Sequence, residues 1–357
     1  MHKTNQAGTD YYVIGVMSGS SLDGLDVCLT KFNREERWNF SIEASETFEI
    51  PESLRLRLKK ADQLPAADLF ELDVAYGEWI GSALKSWSSK INSPIELIGV
   101  HGHTVFHEPS KGFSIQIGSG SKISLITQLP VVDDFRTKDI LLGGQGAPLV
   151  PFGEHHLFPN IKIFINLGGI ANISFHEEKI SAWDIAPCNQ VLNHFAQQLG
   201  YPFDFNGELA ASGTIDADWQ SHLNTLNYFH QAPPKSLSNQ WTKEVLKNTP
   251  SNPIDALRTY VEFLAEQISD TLNNISEGDQ VMISGGGAFN KFLIDTINNK
   301  IIQRAQIIVP QKELVEYKEA LIFGFLALQK KLGLVNIFSS STGSRRDTVG
   351  GTLHLPD

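Results

Sequence analysis

Residues 11–32 read "YYVIGVMSGSSLDGLDVCLTKF": an apolar run, a cluster of small and acidic residues, then a second apolar run. This is the pattern of two strands joined by a turn of small residues. Residues 161–175 repeat it, with "IKIFI", then "NLGG", then "IANISF". Repetition at this distance points to two halves built on one core topology. A second parallel agrees: "IELIGVHGHT" (95–104) and "QVMISGGGAF" (280–289) are each a buried strand running into a small-residue loop. Helical stretches precede both, at 69–84 and 256–272, with apolar residues near helical spacing and no internal proline. Strands alternating with helices read as α/β layers.

At 357 residues the chain exceeds what one hydrophobic core usually supports, which fits two domains or one domain built from two similar halves. Gly and Pro gather in "DDFRTKDILLGGQGAPLVP" (133–151), and the boundary is expected there. The first domain is expected to take residues 1–134 together with 320–357, and the second residues 135–319. An apolar-faced helix at 319–331 would carry the tail back onto the first half. Residues 229–240, "FHQAPPKSLSNQ", read as a surface loop between helices.

Composition excludes several partners. Lys and Arg number 29 against 40 Asp and Glu, a net charge of -11, and such a field repels phosphate backbones and anionic membrane surfaces. Neither nucleic acid nor a membrane is an expected partner. Cys28 and Cys188 are too few for a disulfide framework and lack C-x-x-C spacing, which fits a reducing compartment. Residues 1–10 are polar without an apolar signal core, and the most apolar late stretch, 320–328, is too short to span a bilayer. A soluble, cytoplasmic protein is the expectation.

Several loops are suited to phosphate. "SGSSLDG" (18–24) sets backbone N–H groups and two hydroxyls between strands, a nest for phosphate oxygens or simply a tight hairpin. It is neither a Walker A loop nor a nucleophile elbow. Asp23 and Asp26 fit as turn residues or as groups holding Mg²⁺ through water. "NLGGIANIS" (166–174), with Asn166, Gly168 and Gly169, is the same kind of turn, so a nucleotide tail would be gripped from both halves. "SGGGAFN" (284–290) adds Gly285, Gly286 and Gly287, where an adenine or ribose approaches the backbone closely. Its plainer reading is a strand-to-helix turn.

Other residues suit a polar substrate. In "HGHTVFH" (101–107), His101 and His103 alternate along a strand and so share a face. Metal ligation needs a third ligand that the sequence does not offer, so hydrogen bonding to a polar substrate, joined by Thr104, is preferred over it; a structural role is the alternative. In "DDFR" (133–136), Asp134 and Arg136 suit paired hydrogen bonds to sugar hydroxyls or a carboxylate, or else form a surface ion pair. "AWDIAPCN" (182–189) is expected to end a strand at Asp184 and open a helix at Pro187. Asp184 there accepts a proton from an attacking oxygen, or caps the helix. Cys188 is an activated thiol or, preferably, a packing residue. Glu316 and Glu319 lie one turn apart at the entrance of the last helix, as solvated charge or as a base or orienting group.

Taken together, "GVMSGSSLDGLDV", "HGHTVFH", "DDFRTKDILLGGQGAPLVP", "NLGGIANIS", "SGGGAFN" and "EYKEALIFGF" resemble, in order and spacing, the motifs of the anhydro-N-acetylmuramic acid kinases. The similarity runs from about Tyr12 to the C-terminus. It implies two similar actin- and sugar-kinase-like α/β domains, a duplicated ribonuclease H-like core, with ATP in an interdomain cleft. It implies ATP- and Mg²⁺-dependent conversion of 1,6-anhydro-N-acetylmuramic acid to N-acetylmuramic acid 6-phosphate in cell-wall recycling. Water opens the anhydro bridge while O6 takes the phosphoryl group. On this resemblance Asp184 deprotonates the water and Glu319 is a sugar-side contact assisting catalysis. Gly19, Ser20, Ser21, Leu22, Asp23, Gly24, Leu25 and Asp26 match the ATP-binding stretch, Mg²⁺ travels with ATP beside Asp23, and a homodimer is implied.

The chain departs from the family at three places. Ile185, Ala186 and Cys188 stand where the family's Asp-Thr-Gly-Pro-Gly-Asn has Thr and two glycines, which bears on how closely a ligand approaches the backbone. Ser20 stands for Thr, and His103 for the Gln of "HGQT". Two other readings compete: a kinase of this fold acting on another amino sugar without hydrolysis, and a catalytically idle nucleotide-binding regulator.

Overall fold

The small-residue turn at 18–24 does join two strands. In the computed structural model, which describes residues 8–356 apart from 20–21, 178, 234, 238–239, 274 and 302–303, Asp10–Ser18 (β1) pairs antiparallel with Leu25–Arg34 (β2). Trp38–Phe48 (β3) continues the meander. After the helix Ala66–Ser88, Leu97–Val100 (β4) returns parallel to β1. His103–Glu108 (β5) and Phe113–Ile117 (β6) form a hairpin of their own. Val131–Asp133 (β7) then lies parallel to β4, and its other edge pairs with the C-terminal strand Thr352–His354. β1 and β2 are buried through their centres and so read as continuous apolar runs, whereas the edge strand β3 alternates between covered and open positions.

The second half repeats the plan. Ile163–Leu167 (β8), Ile170–His176 (β9) and Ile180–Pro187 (β10) form an antiparallel meander. Asp279–Ser284 (β11) and Ala305–Ile308 (β12) follow parallel to β8. The sheets run β3-β2-β1-β4-β7 and β10-β9-β8-β11-β12, the same order with the same strand senses. The ribonuclease H-like core is therefore present twice, as the repeat requires.

The chain divides into two compact units, one of Met1–Pro159 with Tyr317–Asp357 and one of Asn160–Glu316. The Gly-rich stretch expected to begin the second domain belongs to the first. Its buried Asp139 accepts from Gly146 N and from the Thr342 hydroxyl, and Gln145 N donates to Thr342 O. Phe152 packs on Phe338, with ring centroids 4.7 Å apart. The glycines thus serve a loop stitched to the C-terminal segment rather than a linker. The return also starts earlier than expected, since the last long helix spans Lys312–Leu332.

That helix explains the most apolar stretch of the sequence. It lies directly on the first sheet, where Gly15 and Gly99 are partners in register across β1 and β4. A Cβ on Gly15 would stand 1.7 Å from the Ala320 carbonyl oxygen, and one on Gly99 2.4 Å from that of Phe323. Because the obstacle is backbone, Gly15→Ala is expected to cost about 3 kcal/mol or more in urea unfolding. Gly168→Ala, whose nearest neighbour lies 3.4 Å away, is the control and should change little.

Candidate active site

In the first unit, the hairpin loop turns back from Gly19 to Leu22, with Leu22 N donating to Gly19 O. Leu22 is buried and holds φ at +58°, a left-handed conformation that a leucine adopts only when its surroundings impose it. Ser20 and Ser21 lie outside the described residues. Asp23 is exposed, while Asp26, one register step into β2, accepts from the Thr47 hydroxyl.

Arg136 gathers the other groups of this unit. Its Nη2 donates to His101 Nε2 at 2.7 Å, and its Nη1 donates to the carbonyl of Gly146 in the Gly-rich loop. Burial lowers its pKa to about 10, leaving it protonated at neutral pH. Burial and the facing guanidinium lower His101 to about 3, so the ring is neutral. An arginine only donates, so Nε2 is the acceptor and Nδ1 carries the proton, given to Gly102 O at 2.9 Å. Both ring nitrogens are engaged, which overturns metal ligation by His101.

Nor do the two histidines share a strand face. Gly102, at φ +76°, breaks the chain between β4 and β5, and His103 faces the Leu58 backbone, with its Nδ1 buried and without a hydrogen-bond partner among the described residues. Thr104 Oγ1 takes a long hydrogen bond from Gln116. Asp134 does not pair with Arg136; its carboxylate accepts from the hydroxyl and N–H of Thr137. Instead Asp134 and His101 line a cavity of about 200 Å³ with Asp73, Gln116, Asp133 and His354. Burial raises both Asp73 and Asp134.

Glu319 belongs to the same neighbourhood. It sits in the second turn of its helix rather than at the entrance, packed deep yet still reached by solvent. Burial raises its pKa against the pull of Lys318 and Arg136, with Glu154 and Asp26 adding repulsion. Lys318 is itself buried and bridged to Glu154 at 2.7 Å. Glu316, by contrast, is exposed and paired with Lys312.

Two neutral histidines make this unit acid-sensitive. His101 is lowered to about 3, and His156, half-buried beside Phe152 and His155, to about 4, both from 6.5. Their contribution is present above pH 6.5 and is lost as pH falls toward those values, at up to about 1.4 kcal/mol per unit for each. His354 runs the other way: its hydrogen bond to Asp133 raises its pKa, so its contribution is present below 6.5 and fades as pH rises through the raised value. Unfolding free energy should therefore fall from pH 6.5 to 5, and His156→Gln should flatten that slope.

In the second unit, Gly168 and Gly169 are the two-residue turn between β8 and β9. Gly168 O accepts from Asn189 N, and Gly169 O accepts from Cys188 N and Gln190 N. Asn189 Nδ2 donates to Leu167 O, and its side chain borders Gly286 and Gly287. One asparagine thus ties the turn at 168–169, the start of the helix Asn189–Gln198 and the loop of Gly285, Gly286 and Gly287 into one surface. A Cβ on Gly285 or Gly287 would strike Leu167, so the fold demands those two glycines. Gly286 meets only Asn189, at 3.6 Å, and presents open backbone that a flat ligand can approach. The Asn166 side chain borders both Gly168 and Gly285.

Asp184 lies in the body of a strand. β10 continues to Pro187, with a bulge between Asp184 and Ala186, and the helix begins at Asn189 with Cys188 as its N-cap residue. Asp184 therefore does not cap that helix. Its Oδ2 accepts from Leu237 N at 2.8 Å, its N donates to Lys235 O, and its carbonyl accepts from the Tyr228 hydroxyl. Burial raises its pKa, with the Leu237 N–H opposing. Within the expected surface loop at 229–240, Lys235 and Leu237, with Tyr228 just before it, form a strap across the edge of β10. Ile185, Ala186 and Cys188 all point into the apolar core. The Cys188 thiol is pushed up to about 12 by burial, so it is a packing residue.

A sequence profile of the anhydro-N-acetylmuramic acid kinases matches residues 11–356. The chain belongs to that family. It is 34% identical to the anhydro-N-acetylmuramic acid kinase of Shewanella pealeana, over 97% of this chain and 99% of that one. To the enzyme of the same name from Shewanella sp. W3-18-1 it is 34% identical over 95% and 97%. Several residues at these sites carry no sequence signal. Asp73, Gln116 and His354 reach the first-unit cavity from remote segments. Asn189 keeps the last residue of the family's Asp-Thr-Gly-Pro-Gly-Asn, but its tie to both glycine loops is a tertiary fact.

Proposed function

We propose that this protein is an ATP-dependent kinase that opens 1,6-anhydro-N-acetylmuramic acid with water and phosphorylates O6, giving N-acetylmuramic acid 6-phosphate and ADP in cell-wall recycling. The supporting observation is Asp184: a carboxylate kept off the neighbouring helix, held by a single N–H, with its proton affinity raised by burial. It takes a proton from water as the water oxygen bonds to C1; the C1–O6 bond breaks, and O6 takes the γ-phosphoryl group. Glu319 faces the sugar, with Arg136 holding His101 and the Gly146 loop in place around it.

In this reading Gly19, Leu22, Asp23, Gly24, Leu25 and Asp26, with Ser20 and Ser21, cradle phosphates from the first unit. Asn166, Gly168, Gly169, Gly285, Gly286 and Gly287 receive the nucleotide from the second. His101, His103, Thr104, Asp134 and Arg136 serve the sugar. Among the described residues no group of three or more His, Cys, Asp or Glu side chains is placed to hold a metal. In the proposal Mg²⁺ arrives with ATP near Asp23, where it would neutralise charge on the phosphates. No described helix is long and apolar enough to cross a membrane. A cytoplasmic homodimer completes the proposal.

ADP release tests it. The anhydro sugar should support turnover, and N-acetylmuramic acid or N-acetylglucosamine should not; the reverse preference would favour a kinase that does not hydrolyse. Since the base must be ionised, kcat/KM should fall about tenfold per pH unit below a pKa lying above the 3.8 of an ordinary aspartate.

A further inference from the structure

A cavity of about 650 Å³ in the second unit shares no residue with the glycine loops. It opens where β8 and β11 begin, at Lys162 and Asp279, whereas the glycine loops lie where those strands end. Its volume is within the range of small-molecule sites. One wall is aromatic: Trp183 stacks on Phe175, with centroids 5.2 Å apart and planes 19° apart, and Phe229 adds to it.

Polar groups of both charges complete the lining, among them Lys162, Glu177, Ser181, Lys235 and Asp270. The Lys235 ammonium is held by the Tyr228 carbonyl at 3.1 Å and by its ring, and no carboxylate pairs with it among the described residues.

The cavity and Asp184 share their supports. Trp183 and Ile185 line the cavity, and alternation along β10 before its bulge turns Asp184 to the face opposite Trp183. Phe229, Pro233 and Lys235 of the strap also line it. The same strap holds Asp184 through the Lys235 carbonyl, the Tyr228 hydroxyl and the Leu237 N–H. A molecule seated against Phe229 and Lys235 therefore bears on the strap whose Leu237 N–H opposes the burial that raises the pKa of Asp184.

We propose that this cavity is a second ligand site, taking a monosaccharide or disaccharide and tuning Asp184 through the strap. An aromatic plane receives the C–H face of a pyranose, while hydroxyl, amide, ammonium and carboxylate groups around it match a ring of hydroxyls. The carboxylates Glu177, Asp270 and Asp279 exclude a polyphosphate. The tuning rests on the reading of Asp184 as the base; the binding does not.

The test titrates N-acetylmuramic acid into the full chain without nucleotide, by calorimetry. The wild type, Trp183→Ala and Ser181→Trp, which fills the cavity from an exposed position, are compared on an Asp184→Asn background. Wild-type lining should show a binding event that both variants weaken at least tenfold while ATP affinity and melting temperature hold. If Trp183→Ala misfolds, Ser181→Trp decides. No binding event, unchanged affinity in the variants, or AMP competing for the cavity would overturn the site. With Asp184 restored, saturating sugar should shift the acid limb of kcat/KM in the wild type and not in Ser181→Trp; an unmoved limb overturns the tuning. Retained turnover in Asp184→Asn beside a variant-sensitive binding event would reject the base and leave the site standing.

Discussion

Asp184→Asn should lower kcat by roughly 10²–10⁴-fold while leaving ATP affinity and melting temperature close to wild type. The substitution removes the proton acceptor but little of the structure. The carboxylate is not a helix cap, and the N–H it accepts comes from a strap residue that an amide oxygen can still satisfy. Burial already raises the pKa of Asp184, so a neutral side chain of the same shape removes a desolvated charge. An idle nucleotide-binding regulator would have no turnover to lose. A stability loss of several kcal/mol would instead mark Asp184 as a structural residue.

Glu319→Gln should separate catalysis from stability in the opposite direction. If Glu319 faces the sugar, as proposed, it would stabilise positive charge developing on the ring as the C1–O6 bond opens, and losing such a group costs roughly 10²–10³-fold. Yet its pKa is raised, chiefly by burial, and Lys318 and Arg136 do not fully offset that. Keeping it ionised at neutral pH costs folding free energy, so the amide should melt at the same temperature or higher. Loss of both activity and stability would place Glu319 in the ion network of Glu154 and Lys318 instead.

The duplicated fold is legible because each half is announced by the same apolar run, small-residue turn and second run, and strand pairing follows from that local pattern. The boundary is not. "GGQGAP" has the composition of a linker, and only the tertiary partners of Asp139 and Phe152 show that it belongs to the first unit. His101 and His103 mislead for a related reason: alternation assumes an unbroken strand, and the left-handed Gly102 between them breaks it. The reading of Asp184 changes in its support. Sequence puts it at a helix entrance, whereas the strand runs on to Pro187, and the group that holds it, Leu237 N, is fifty-three residues away. The three departures from the family text beside it are core side chains, so their cost falls on packing.

The central claim is that water opens the anhydro bridge while O6 keeps its own oxygen and takes phosphate. Turnover in water enriched in oxygen-18, with the product reduced by borohydride at once to prevent exchange at C1, tests it by mass spectrometry. The account predicts one heavy oxygen at C1 and none in the phosphate ester. A product without label at C1, or with label in its phosphate group, would contradict it.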